Sequence, residues 1–281
     1  MSDLHSINEA INKKAGRKLL PSIVVGLSLI ALVWFTLSYQ RELFAIVVAV
    51  AVILGVRELV RAFSARGIVI SFNGLTLAAI GLSYAAWVGG VAGLAVATAI
   101  AFPLLLIRAL LQGPEGFVAK ATATTFGLLY LPFLAGFLIL LARPSTGFQR
   151  VMTFVVLVGC NDTFGYIVGV LLGKHPLVPK ISPKKTWEGL VGSLLFTMIG
   201  GALAFEYIMD MHWWIGLIVG LMIVFTATCG DLIESAMKRD LSLKDMGTLL
   251  PGHGGMLDRL DSVVLSAPAM WLALELVKRF L

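Results

Sequence analysis

The most constraining feature of this sequence is a series of apolar stretches long enough to cross a lipid bilayer. Residues 19–40 contain no charged side chain, and none lies between Arg66 and Arg108. About 20 apolar residues in a helix span the roughly 30 Å hydrocarbon core of a membrane. Only 14% of the residues are charged, against about 25% in soluble domains. The sequence therefore predicts an all-α, polytopic integral membrane protein and argues against a soluble domain.

The apolar stretches predict about nine transmembrane helices. The pair Gly89-Gly90 divides the long uncharged segment, because adjacent glycines interrupt helices. The predicted spans are residues 19–40, 43–60, 71–88, 91–110, 121–142, 149–172, 187–206, 212–231 and 260–280. The corresponding regions are an amphipathic, basic cytoplasmic tail (1–18), an N-terminal transmembrane region of about five helices (19–150) and a C-terminal transmembrane catalytic region (151–281) with cytoplasmic loops at 173–187 and 232–259. For residues 1–18, a frayed tail is the alternative to an amphipathic helix on the membrane surface.

The distribution of basic residues predicts the orientation in the membrane. Cytoplasmic loops carry an excess of Lys and Arg. With a cytoplasmic N-terminus, the predicted spans place most of the 22 Lys and Arg residues inside. Those that remain outside are Arg41, Arg143, Arg150, Lys278 and Arg279. We therefore expect a multi-pass protein of the plasma or inner membrane, with its N-terminus in the cytoplasm and its C-terminus outside.

Charged residues cluster where the last two predicted spans meet the cytoplasm. Ionisable residues at the ends of membrane helices are costly and are functional candidates by default. Carboxylates hold Mg²⁺ in proteins, while Lys and Arg neutralise phosphate groups. The charged residues of this window are Asp231, Glu234, Lys238, Arg239, Asp240, Lys244, Asp245, Asp258, Arg259 and Asp261. The pattern favours metal-assisted phosphate chemistry at the cytoplasmic boundary, and a solvated cluster of ion pairs is the structural alternative.

Three further elements are candidates for the same site. The segment PGHGG (251–255) can present backbone N–H groups to an anion, although a plain turn has the same composition. The lysines of KISPKKTWEG (180–189) can bind phosphate, or they mark an ordinary cytoplasmic loop. Asn161 and Asp162 form a polar pair inside the sixth span, for which helix–helix hydrogen bonding is the alternative.

The stretch SAMKRDLSLKDMGTLLPGHGGMLDRLDS (235–262) resembles the signature of the phosphatidate cytidylyltransferase family, also called CDP-diacylglycerol synthases. Its elements are Ser235, Lys238-Arg239, Lys244-Asp245, residues 251–255 and Asp258-Arg259-Leu260-Asp261. Gly173-Lys174 and residues 182–189 also resemble the family, whereas residues 1–150 match only as apolar spans. Two positions depart from the family pattern: Met246, where a small residue is common, and Val170, where arginine is common.

This resemblance implies an enzyme that transfers the cytidylyl group of CTP to phosphatidic acid, giving CDP-diacylglycerol and pyrophosphate for phospholipid biosynthesis. It implies catalytic roles for Asp231, Asp258, Asp261 and Lys238, with Mg²⁺ held by the three aspartates and a second cation left open. The implied substrate-binding residues are Asn161, Asp162, Ser182, Lys184, Lys185, Ser235, Arg239, Lys244, Asp245, His253, Gly254, Gly255 and Arg259. The expected partners are CTP, phosphatidic acid and membrane lipid, without nucleic acid, and a homodimer is left open.

Two other functions compete with this interpretation. A CTP-dependent polyprenol kinase would use the same nucleotide but donate its terminal phosphate. A secondary transporter would also place Asp162 in the membrane, but transporter sites lie near the bilayer midplane and not at one face. An Asp-Gly-x-x-Ala-Arg core, expected of a CDP-alcohol phosphotransferase, does not occur in the sequence.

Overall fold

The structure is a computed structural model that describes residues 19–247 and 254–280. The predicted tail (1–18) and His253 lie outside the described residues. The helices are α1 (Leu19–Tyr39), α2 (Arg41–Ser64), α3 (Phe72–Leu110), α4 (Phe117–Leu128), α5 (Leu134–Ala142), α6 (Gly147–Leu172), α7 (Trp187–Tyr207), α8 (Trp213–Asp240) and α9 (Leu257–Phe280). A π-helical turn (Leu129–Phe133) joins α4 to α5, so that residues 117–142 form one continuous span.

The helices have the length and composition of membrane spans, which confirms the all-α, polytopic class. Among the described residues, seven helices are long and apolar enough to cross a membrane, and Gly26–Tyr39 of α1 is a shorter apolar helix. Large apolar side chains lie on their outer surfaces, including Leu77 and Phe225, each 70% exposed. Such surfaces are costly in water and are favourable against lipid.

The predicted break at Gly89-Gly90 is confirmed, because α3 folds back on itself at Gly90. This residue has φ +63° and ψ −148°, a conformation open to glycine and strained for other residues. The Arg108 guanidinium donates to Ser71 Oγ, although a straight helix would separate these residues by about 55 Å. Arg143 Nε donates to the Trp87 carbonyl at 2.7 Å and so satisfies an acceptor freed by the break.

The connection between α6 and α7 differs from the predicted loop at 173–187. It forms a two-stranded antiparallel hairpin of β1 (Pro176–Val178) and β2 (Ser182–Thr186). Thr186 ends the hairpin and begins α7, where its side-chain oxygen accepts the Gly189 N–H at 3.1 Å. The hairpin therefore projects from the same end of the helices that carries the start of α7.

Close contacts between glycines bring α6, α7 and α8 together. A Cβ on Gly201 of α7 would overlap the Gly216 carbonyl of α8, and a Cβ on Gly216 would overlap the Gly201 carbonyl. Small residues allow helix backbones to approach in this way within membranes. This close packing brings polar side chains on neighbouring helices within reach of one another.

Candidate active site

The end of α8 and the start of α9 meet through a glycine contact. A Cβ on Gly230 would overlap the Asp261 carbonyl oxygen, so the two backbones approach more closely than any larger residue allows. Asp231 directly follows this glycine. The contact therefore sets an aspartate of α8 beside an aspartate of α9.

A cluster of three carboxylates forms at this point, which we call the acidic cluster: Asp231, Glu234 and Asp261. Each offers a carboxylate oxygen, and these oxygens lie within 4.8 Å of one another. Asp231 and Glu234 are three residues apart and share a face of α8. Three acids at such distances repel one another unless protons or cations offset their charge.

The acidic cluster fits a divalent cation. Glu234 is fully buried, and its Oε1 has no hydrogen-bond partner among the described residues. A buried carboxylate oxygen without a partner is costly, and a metal ion would compensate for the lost hydration. Carboxylate oxygens from two helices are also the ligands that Mg²⁺ prefers. Asp231, Glu234 and Asp261 are therefore the residues that could hold a metal ion.

Asp258, predicted as a metal ligand, lies in a different environment. Its Oδ2 accepts the backbone N–H groups of Gly255 at 2.7 Å and Met246 at 3.2 Å. Its Oδ1 accepts from Lys238 Nζ at 2.9 Å. The structure thus brings Asp231 and Asp261 together with Glu234, whereas Asp258 contacts backbone N–H groups and Lys238.

Lys238 joins these two groups of acids. Its ammonium donates to Glu234, one turn earlier on α8, and to Asp258 at the start of α9. The side chain is only 18% exposed. A half-buried ammonium between two carboxylates places positive charge directly beside the acidic cluster.

The polar pair in α6 also reaches the cluster. Asn161 Nδ2 donates to Asp162 Oδ1 at 2.9 Å, and Ser262 Oγ of α9 donates to Asp162 Oδ2 at 3.3 Å. Ser262 directly follows Asp261. Asp162 thus makes the helix–helix hydrogen bond considered above and, as an exposed residue, remains open to a ligand.

The hairpin contributes a lysine to the acidic cluster. Lys185 Nζ lies 2.6 Å from Asp231 Oδ2. Lys184 is exposed, as expected for the neighbouring position of a strand. Arg239 Nε donates to the Ile181 carbonyl at 3.2 Å and connects the tip of the hairpin to the end of α8.

The other predicted substrate-binding residues differ in their surroundings. Ser235 Oγ donates to Asp231 Oδ1 at 3.3 Å. Gly254 has φ +80°, and a Cβ there would lie 2.7 Å from Asp258 Oδ2. Ser182 and Arg259 are half-buried, Gly255 is buried, and Lys244 and Asp245 are exposed.

Two residues near the site were not predicted from the sequence. Glu58 of α2 is buried and accepts the backbone N–H groups of Met256 and Leu257 at the start of α9. Tyr130, in the π-helical turn, has a buried hydroxyl with no hydrogen-bond partner among the described residues, within electrostatic range of the acidic cluster. A charge inside an apolar span was the available signal for Glu58; for Tyr130 the sequence offered none.

Comparisons with known proteins show which family the chain resembles. A family model described as the cytidylyltransferase family matches residues 21–277. A phosphatidate cytidylyltransferase from Mycobacterium leprae is 37% identical over 280 residues, covering 94% of this chain and 90% of that protein. Its counterpart from Mycobacterium bovis is 36% identical over 277 residues, with 94% and 90% covered.

A shorter match concentrates on part of the chain. A phosphatidate cytidylyltransferase from Staphylococcus aureus is 41% identical over 137 residues, which are 48% of this chain and 52% of that protein. The family model, by contrast, extends across both the apolar N-terminal helices and the helices that carry the acidic cluster. On that match and on the full-length relatives, the chain belongs to the cytidylyltransferase family.

Proposed function

We propose that this protein transfers the cytidylyl group of CTP to phosphatidic acid, forming CDP-diacylglycerol and pyrophosphate. The observation that carries the proposal is the acidic cluster with Lys238 and Lys185 beside it, at one end of apolar helices. Such a site serves a reaction between a lipid phosphate and a nucleotide triphosphate, both strongly anionic. Family membership and the names of the full-length relatives support the same reaction.

The acidic cluster would hold Mg²⁺ through Asp231, Glu234 and Asp261, and Mg²⁺ bound there would supply positive charge against the triphosphate and polarise its phosphoryl oxygens. A second cation and a role for Asp258 as a ligand remain part of the proposal. Asp162 is a further carboxylate beside the cluster, because its Oδ2 accepts from Ser262, the neighbour of Asp261.

The basic residues would bind and neutralise the phosphates. An oxygen of phosphatidic acid forms a bond to the α-phosphorus of CTP, and the bond from that phosphorus to the bridging oxygen of the β-phosphate breaks. Lys185 contacts Asp231 from the hairpin, while Lys184 lies beside it and Arg239 bonds the hairpin from the end of α8. These three cations would stabilise the charge of the departing pyrophosphate. No general base is required, because a phosphate monoester is already anionic near neutral pH.

The same proposal places the site at the cytoplasmic face. Counting α1, α2, both halves of α3, the span 117–142 and α6–α9 gives about nine crossings. The end of α2 contacts the connection between α8 and α9, since Arg66 donates to the Asp240 and Leu241 carbonyls. Arg41 donates to the Arg143 carbonyl at the opposite end. With the N-terminus in the cytoplasm, the end that carries the acidic cluster faces CTP, and the C-terminus lies outside.

The decisive experiment follows the label from CTP. Purified protein in detergent is incubated with phosphatidic acid, Mg²⁺ and CTP labelled at either the α- or the γ-phosphorus. We expect α-label in the lipid, release of pyrophosphate and no transfer without divalent metal. Lipid labelled only from the γ position would replace the proposal with a lipid kinase, and label in neither lipid would favour a transporter.

A further inference from the structure

Glu58 is an acid of the N-terminal region that contacts the C-terminal one. It lies in α2, within a helix long and apolar enough to cross a membrane, and is 5% exposed, while its neighbour Arg57 is exposed. Its Oε1 accepts the N–H of Met256 at 2.9 Å, and its Oε2 accepts the N–H of Leu257 at 2.9 Å. The first N–H groups of a helix have no partner within it, and a carboxylate there is also favoured by the helix dipole.

Two glycines, one after α8 and one before α9, lie against this carboxylate. A Cβ on Gly247 would overlap Glu58 Oε1, and a Cβ on Gly255 would overlap Glu58 Oε2. Gly247 follows α8, whereas Gly255 precedes α9. Both positions therefore accommodate Glu58 only because they lack a side chain.

The segments that hold Glu58 also hold the charged residues of the site. Gly255 and Met246 donate their N–H groups to Asp258, and Asp258 accepts from Lys238. Lys238 in turn donates to Glu234 of the acidic cluster. Glu58 is thus linked to the cluster through backbone and side-chain hydrogen bonds, although no contact joins it to Asp231, Glu234 or Asp261 among those found in the described residues.

We propose that Glu58 is a positioning residue that sets the start of α9 and, through it, the placement of Asp258 and Asp261 against Asp231 and Glu234. The role rests on the proposed function, since it concerns the geometry of that same site. A neutral side chain would release the first turn of α9. Asp261, one turn further along, would then shift relative to the two acids of α8.

The first test is Glu58→Gln, which replaces one acceptor oxygen with an NH₂ group facing a backbone donor. Residues that orient metal ligands typically contribute 10–100-fold in affinity or activity. We expect kcat per folded molecule to fall by about tenfold or more and the Kd for Mn²⁺, measured by EPR on the purified protein, to rise by about tenfold. Glu42→Gln, an exposed acid on the same helix, should leave both quantities unchanged. Unchanged kcat and Mn²⁺ affinity in Glu58→Gln would overturn the proposal.

A second set of variants tests the proposal if the Glu58→Gln protein does not fold. Gly247→Ala should lower activity by pushing on Glu58, and adding Glu58→Asp should restore part of it, because the shorter acid leaves room for the new methyl group. Equal or lower activity in the double variant would overturn the proposal. Transfer of α-label by the unaltered protein tests the reaction itself, so a failure of the positioning role and a failure of the proposed function give different results.

Discussion

The N-terminal helices (α1–α5) and the C-terminal helices (α6–α9) pack by different means. In the N-terminal region, two buried glycines lie against large side chains: a Cβ on Gly55 would lie 2.8 Å from Leu131 Cδ2, and one on Gly136 would lie 2.7 Å from Leu94 Cδ1. In the central span 117–142, 72% of the residues in the most apolar 18-residue stretch are buried. This region is a conventional apolar core built from interlocking side chains.

In the C-terminal region, several glycines instead contact the backbone of the neighbouring helix. A Cβ on Gly220 would lie 2.9 Å from the Thr197 carbonyl oxygen, and a Cβ on Gly230 would overlap the Asp261 carbonyl. Backbones held this closely bring short side chains such as aspartate within a few ångströms of each other. The comparison teaches that side-chain packing stabilises the N-terminal helices, whereas backbone contacts between helices fix the positions of the carboxylates in the acidic cluster.

The largest expected effect comes from removing charge from the acidic cluster. Asp231→Asn and Asp261→Asn should each lower turnover roughly a thousandfold, because Asn preserves volume but loses the negative charge that binds a metal. Membrane insertion and yield should stay close to those of the unaltered protein, as judged by quantitative blotting of membranes.

Asp210→Asn is the matched control, since Asp210 lies beyond the other end of α8 and its φ of +53° is also accessible to asparagine. It should leave turnover unchanged. Near-normal activity of Asp231→Asn or Asp261→Asn at ordinary Mg²⁺ would remove that residue from the site and weaken the contrast between the two regions.

The second prediction compares one glycine from each region. Gly230→Ala should lower kcat about a hundredfold, because the opposing carbonyl of Asp261 belongs to the backbone and moves only with α9. Gly136→Ala meets the flexible end of Leu94 and should instead cost about 1–3 kcal/mol of stability with activity retained. Activity assays and thermal unfolding in detergent measure the two effects. A larger loss of turnover in Gly136→Ala than in Gly230→Ala would contradict the comparison.

The third prediction compares two acids that lie in different surroundings, Glu234 and Asp258. Glu234→Gln should weaken Mn²⁺ binding, measured by EPR, by about tenfold or more. Asp258→Asn should weaken it less, because Asp258 holds backbone N–H groups and Lys238. If Asp258→Asn has the larger effect on Mn²⁺ affinity, Asp258 is a ligand and Glu234 is not.

The smallest expected effect on activity comes from probes of topology. Single cysteines replace Ser145 or Lys180, both exposed, in a background where Cys160 and Cys229 are alanine. A membrane-impermeant maleimide applied to intact cells should label position 145 and spare position 180, with activity largely retained. Labelling of position 180 from outside would place the hairpin and the acidic cluster on the wrong face for CTP.

The sequence by itself determined the helical membrane architecture and the region of the chemistry. Uncharged runs of membrane length are local properties, so the spans and the break at Gly90 could be predicted without tertiary information. The charged window from Asp231 to Asp261 likewise placed these two aspartates in one candidate site. That these two aspartates face each other agrees with their placement at the adjoining ends of successive spans.

Only the tertiary structure decided which acids lie together and which contact the backbone. Residue spacing places Asp231 and Glu234 on one face of α8, but it does not decide which aspartate of α9 joins them. That depends on how α8 and α9 meet at the Gly230 contact, where Asp261 lies in the cluster and Asp258 accepts backbone N–H groups. Lys185 reaches Asp231 through a hairpin whose strands pair across a turn. Glu58 meets Leu257 across 199 positions of sequence, a contact that no local pattern encodes. Local hydrophobicity specifies which segments enter the membrane, whereas the positions of polar atoms depend on how those segments pack.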